Sequence, residues 1–178
     1  KDVIRVALKI GDVWYSDGSG AKLYQSSSLS SKSLTGEFSL KYFDSGKIST
    51  IGDYQFYSVY PEDVTETNFA PSTSLATINL PSVQMSSTST FDKSADVLWG
   101  KAVNTYTQLP TEKVSLVWNR LVAHAYITLK CINGIAENET INSVTLTAQE
   151  GAALTGAYDL NVATGEFTAG ATSNVVTV

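Results

Sequence analysis

The chain has 178 residues, a formal net charge of −5 and 43% hydrophobic residues, a length that holds one large domain or two small ones and buries a proper core without disulfides. The acidic balance lacks the basic footprint of a general nucleic-acid binder. The single cysteine excludes an internal disulfide framework and a cysteine-cluster zinc site, and no run of about 18 apolar residues is present to cross a membrane as a helix.

Residues 3–10, VIRVALKI, read as a first strand closed by Gly11-Asp12. Val13-Trp14-Tyr15 follows, then a turn over Ser16-Asp17-Gly18-Ser19-Gly20, with Lys22-Leu23-Tyr24 placed to pair back across it. Residues 25–33 form a serine-rich loop without a core-forming pattern. Phe38, Leu40 and Tyr42 alternate with Glu37, Ser39 and Lys41 as a half-buried strand, ended by a turn at Asp44-Ser45-Gly46. In residues 53–60, Tyr54, Phe56 and Ser58 share one side and Tyr57 and Val59 the other. Rings on both sides predict a central strand covered on both faces, stopped by Pro61. A polar passage follows, with short strands at Ile78 and Leu80 and at Val83 and Met85. Asp96-Val97-Leu98-Trp99-Gly100 is a compact apolar knot, and residues 95–103 are the best place for two helical turns.

The longest signal spans residues 114–132, VSLVWNRLVAHAYITLKCI. Val114, Leu116 and Trp118 fall on one face; Leu121, Ala123, Ala125, Ile127, Leu129 and Cys131 then take the other. A two-residue period and β-branched content predict a strand rather than a buried helix. The change of phase at Asn119-Arg120 predicts a bulge, or a strand bent between two sheets. Arg120 interrupts an apolar run, and a buried charge needs a carboxylate or carbonyl partner. If that pair is buried, Arg120→Leu is expected to be near neutral and Arg120→Ala costly. Beyond it, Asn133-Gly134 is a turn signal, residues 141–148 alternate again, and residues 157–162 and 165–168 form a hairpin around Ala163-Thr164-Gly165. Val175 to Val178 is a last strand. Short strands with turn punctuation make the chain all-β, a sandwich with little or no helix.

Chemistry-bearing motifs are sparse, and no catalytic, cofactor-binding or metal site is assigned. His124 is the one histidine, on the polar phase of its strand beside Tyr126 and Thr128, and reads as exposed or edge-facing. No nucleophile elbow accompanies it. Asp12, Asp17 and the DGSG turn do not match the spacing of a calcium loop. Glu62-Asp63-Val64-Thr65-Glu66 is a solvated loop, Cys131 a buried thiol, and Asn138-Glu139-Thr140 a glycosylation sequon by pattern. Trp14, Tyr15 and Tyr24 surround the early turn and form a candidate sugar-stacking platform, with core or rim packing as the plainer reading.

Four segments read together carry a resemblance. Residues 52–61, GDYQFYSVYP, resemble the FYAYYP strand of the Bacteroidetes fimbrillin-like proteins, and residues 96–100, DVLWG, their DLLWA segment. Residues 114–123 resemble the strand reading apolar-x-apolar-x-His/Arg-x-apolar-Ala, which puts Arg120 in the charged slot and Ala123 after it. Residues 141–165 resemble the closing pattern I-x-S-V-T-L, then G-x-Y-D-L, then T-G. The likeness spans residues 52–167 in the family's order and marks Trp99, Trp118, Arg120, Ala123 and Tyr158 as architectural positions.

The resemblance implies a transthyretin-like Greek-key β-sandwich: a single domain over residues 1–178, the N-terminal domain of a longer two-domain pilin-like protein. It implies a non-enzymatic subunit of an outer-membrane fimbrium in a Bacteroidetes cell. Such a subunit is exported as a lipoprotein whose lipid anchor lies outside this chain, and it binds other pilin subunits by donor-strand exchange. It implies removal of an N-terminal strand by a trypsin-like protease, with Arg5 as a candidate processing point. The competing reading is a surface-anchored module that binds a carbohydrate or a protein.

Overall fold

The computed structural model describes residues 3–16, 21–24, 37–39, 53–60, 75–85, 87, 90–108, 113–130 and 139–178. The turns read at 17–20, 44–46 and 133–134, the serine-rich loop, Leu40 and Tyr42, the acidic loop at 62–66, Cys131 and Asn138 lie outside these. The regular secondary structure of the described residues is nearly all strand. Its one helical piece is a 3-10 turn, Lys93–Ala95. The stretch read as two helical turns at 95–103 is mostly a strand, with Val97 and Trp99 on the inter-sheet face and Gly100 and Ala102 on the other.

The larger sheet has seven strands. β1 (Val3–Ile10) lies beside β5 (Tyr54–Tyr60), and β7 (Leu98–Ala102) and β8 (Leu116–Arg120) follow in that direction. On the other side of β1 stand β2 (Val13–Ser16) and β3 (Ala21–Tyr24), with β4 (Glu37–Ser39) beyond β3. β5 is therefore central, and Tyr54, Phe56, Tyr57, Ser58 and Val59 are all buried. Its rings face both ways because both faces of the sheet are covered. Leu8, Ile10, Tyr54 and Phe56 gather on one face, with half-buried Tyr106, Val114 and Leu116 packed against them.

The opposite face carries Ala7, Tyr57 and Val59, and a second sheet packs on it. That sheet orders β11 (Phe167–Ser173), β10 (Thr155–Asn161) and β6 (Leu75–Leu80), all antiparallel. Ile78, Val97, Leu160 and Val162 are wholly buried between the sheets. Each such side chain contributes about 1.5–3 kcal/mol from the area it removes from water. Two antiparallel sheets closed on one apolar layer make the sandwich.

Past the start of β10 the second sheet is rebuilt from other strands. β12 (Val175–Thr177) pairs antiparallel with β9 (Thr145–Thr147). On its other edge residues 82–84 run parallel to it: Thr177 N donates to Ser82 O and Gln84 N to Thr177 O, both at 2.8 Å. Val83, read as part of a short strand, is thus a single bridge to Thr177. The buried Thr155 hydroxyl donates to Val175 O at 2.9 Å and ties the two halves together.

The long strand expected over 114–132 is shorter. β8 ends at Arg120, and residues 121–130 leave the sheet. Leu121 N donates to Val97 O in the β7–β8 register, the last rung before the chain leaves the sheet. The break in alternation at Asn119-Arg120 marks this exit, not a bulge. Leu121 and Val122 turn toward the inter-sheet core, while Tyr126, Ile127 and Leu129 face solvent at 91%, 43% and 51% exposure.

Candidate functional site

The exit of the chain from β8 is fixed by a charged seam. Asp96 follows the 3-10 turn and is buried. Its carboxylate accepts from Arg120 Nε at 2.7 Å and Arg120 Nη2 at 3.2 Å, a two-pronged pair. His124 Nε2 stands 3.3 Å from the same Asp96 Oδ1, and Phe91 lies against the imidazole with ring centroids 4.0 Å apart. The Arg120 guanidinium also sits 5.8 Å from the Phe91 ring centre. The turn beneath is capped by Asp92, which accepts from Ser94 N, Ser94 Oγ and Met85 N. Partial burial pushes the Asp92 carboxyl up, but those hydrogen bonds outweigh it and hold it below the ordinary value. The cap's contribution is therefore present at neutral pH and lost as acid protonates Asp92.

The geometry alters the expectation for Arg120. Its side chain is 47% exposed, and the buried member is Asp96. Substituting Arg120 takes the two-pronged partner from a buried carboxylate and leaves it the His124 contact, whichever residue replaces it. Arg120→Ala and Arg120→Leu are both expected to cost about 2 kcal/mol, the worth of hydrogen bonds to a charged group. Chemical denaturation checks this; a neutral leucine variant would mean that Asp96 finds solvent.

Trp99 and Trp118 flank Gly100 from different sides of the sheet. Trp99 Nε1 donates to Val162 O at 2.8 Å and its ring lies under Gly165. Trp118 packs near Ile4 and Val6, close over Gly100. Tyr158 stacks on Phe167 at 4.7 Å with planes 13° apart. Ala123 is exposed. Arg5 lies within β1 opposite Val59, with β5 along its strand, so processing there would require β1 to peel from the sheet.

Of the aromatic platform, Trp14 reaches over the small Ala7 to Tyr57, with ring centroids 5.1 Å apart. The backbones of Tyr15 and Tyr24 pair with Leu8 and Glu37; their side chains lie outside the described residues. Gln55, Tyr57 and Lys101 join Trp14 instead, brought there by the cross-strand register. Sequence reading missed them because they come from strands remote in the chain. It also missed Phe91 and the pairing of Asp96 with Arg120, 24 residues away. Only the need of Arg120 for a partner was visible. Among the described residues no group of three or more His, Cys, Asp or Glu is placed to hold a metal ion.

An antiparallel all-β sandwich with a tryptophan-seated hairpin and a charged seam at an edge strand defines the class. The fimbrillin-like family model matches residues 7–178, and the chain belongs to that family. The match takes in most of the N-terminal third, which the four resembling segments leave out. No curated protein and no solved structure matches the chain. Membership points to a structural subunit of a cell-surface fimbrium that associates with other subunits of its kind.

Proposed function

We propose that this chain is a non-enzymatic structural or adhesive subunit of an outer-membrane fimbrium, joined to its neighbours by β-strand exchange. It serves as the N-terminal domain of a longer lipid-anchored pilin. The observation that carries the reading is the segment at residues 121–130. It is strand-like in sequence, extends from β8 at the edge of the described sheet, and belongs to no strand among the described residues. It presents Tyr126, Ile127 and Leu129 to water. Exposed apolar alternation beside a sheet edge is what edge-protecting devices in monomeric proteins suppress. It suits β-augmentation, in which main-chain hydrogen bonds supply affinity and alternate side chains fill pockets.

The protein trimmed by a trypsin-like protease is expected to polymerise or to take up an added peptide strand; trimmed protein that does neither overturns the subunit reading. Ile127→Asp is expected to weaken assembly roughly tenfold or more, because it puts a charge where an apolar side chain must be buried. Its melting temperature should stay close to that of the parent, since Ile127 is exposed. Sedimentation velocity reads the first effect and a thermal melt the second.

A further inference from the structure

One face of the larger sheet extends beyond the cover of the second sheet, and its register brings together a row of unlike side chains. Trp14 on β2, Lys9 on β1 and Gln55 on β5 stand opposite one another. In the next row along the same face come Ala7, Tyr57 and, on β7, Lys101. Ala7 has no bulk to keep the rows apart, so the Trp14 ring leans across it onto Tyr57, tilted by 40°. Lys9 Nζ lies 5.9 Å from the Trp14 ring centre, and Lys101 Nζ lies 5.7 Å from that of Tyr57. The Tyr57 hydroxyl donates to Gln55 Oε1 at 2.7 Å, which orients the amide and leaves its NH2 as a donor. The result is a shallow ledge across four strands and roughly 14 Å, in which two cations bracket the half-buried Trp14 ring and the buried Tyr57 ring seats it.

The lysines are little committed elsewhere. Lys9 has a loose contact with Asp12 at 3.7 Å, and the Asp12 side chain is fully exposed, a pairing that solvent screens. Lys101 is exposed and has no ion pair among the described residues. Two positive charges held over aromatic faces on a chain of net charge −5 form a local contrast. A half-buried indole offers a flat apolar face, the lysines attract carboxylates, and the Gln55 amide donates to a hydroxyl. A sugar ring bearing a carboxylate matches all three features. A phosphate backbone needs a broader basic surface, and a neutral sugar leaves the lysines without a role.

We propose that Lys9, Trp14, Gln55 and Lys101, seated on the buried Tyr57, form a binding ledge for carboxylated polysaccharide chains. The ledge is distinct from the 121–130 segment and does not depend on strand exchange. Biolayer interferometry with immobilised protein tests it, using polygalacturonate, neutral dextran and a polyglutamate of matched charge. Polygalacturonate is expected to bind, more weakly as salt rises, and to be preferred over both controls. Lys101→Glu is expected to lower that affinity roughly tenfold or more, since it replaces attraction by repulsion. Trp14→Ala should remove the preference over polyglutamate. Because Trp14 also packs on the core, the exposed Lys101 variant is the deciding one. Ile127→Asp should leave binding unchanged, which separates this result from any failure of assembly. No binding of polygalacturonate, equal binding of dextran or polyglutamate, or an unaffected Lys101→Glu protein would each overturn the ledge.

Discussion

Gly156→Ala is expected to destabilise the sandwich by about 3–5 kcal/mol, from backbone strain together with overpacking. Gly156 has φ +102°, where an L side chain is strained. A Cβ built there would lie 2.6 Å from Ala171 O and 2.8 Å from Thr172 Cα, both backbone atoms of the neighbouring β11. Neither can swing away as a side-chain tip would. The position also faces the irregularity of the pairing with β11, whose register shifts between Gly156 and Tyr158 with the extra residue on β11, while β10 stays in unbroken register with β6. Thr155 is buried, Gly156 and Ala157 are half-buried, and strict alternation then resumes with Tyr158, Leu160 and Val162 inward. In a denaturant titration the midpoint should fall sharply with an unchanged slope. A loss under about 1 kcal/mol would mean that β11 shifts to accept the methyl, and the bulge would then not be the rigid element described.

The parts of the fold that the sequence declared are those where one strand's chemistry suffices. Rings on both sides of residues 54–60 announced a central strand because only a doubly covered strand can hide them. The hairpin of β10 and β11 was signalled by alternation on either side of Ala163-Thr164-Gly165, although the paired strands run further, to Thr155 and Ser173. Residues 121–130 show the opposite case. Their alternation is as regular as that of any true strand, but a strand is a property of a pair. The sequence shows what a segment can pair with in kind, not whether an edge lies beside it. The seam is intermediate: Arg120 in an apolar run declared that a counter-charge was needed, while the identity of Asp96 depended on β7 and β8 lying side by side. The ledge was least visible, since its lysines and rings come from four strands and depend on the smallness of Ala7 between them. Of the three residues suggested as a platform, Trp14 alone has a described side chain, and it joins partners that no local motif names.

Trp99→Ala is expected to cost about 3 kcal/mol, the low end for removing a large ring, because Trp99 is half-buried. Two contacts are lost together. The indole N–H no longer satisfies Val162 O, and the turn of the β10–β11 hairpin loses its seat. Trp99→Phe separates them: it keeps most of the packing and forfeits the hydrogen bond, at about 1 kcal/mol. Gly165 lies on the ring with φ +78°, and a Cβ added there would approach Trp99 Cε3 and Cζ3 at 2.8 Å. Gly165→Ala alone therefore carries both backbone strain and a collision with the indole. In the Trp99→Ala background the collision is gone and only the strain remains. The two substitutions should couple by about 1 kcal/mol or more, the double variant being more stable than the sum of the singles predicts. Simple additivity in such a cycle would mean that the turn relaxes away from the ring unaided. A measured coupling would instead explain why a tryptophan in the DVLWG segment and a glycine some 66 residues later belong to one pattern: each is shaped to the other, and together they clamp the second sheet onto the first.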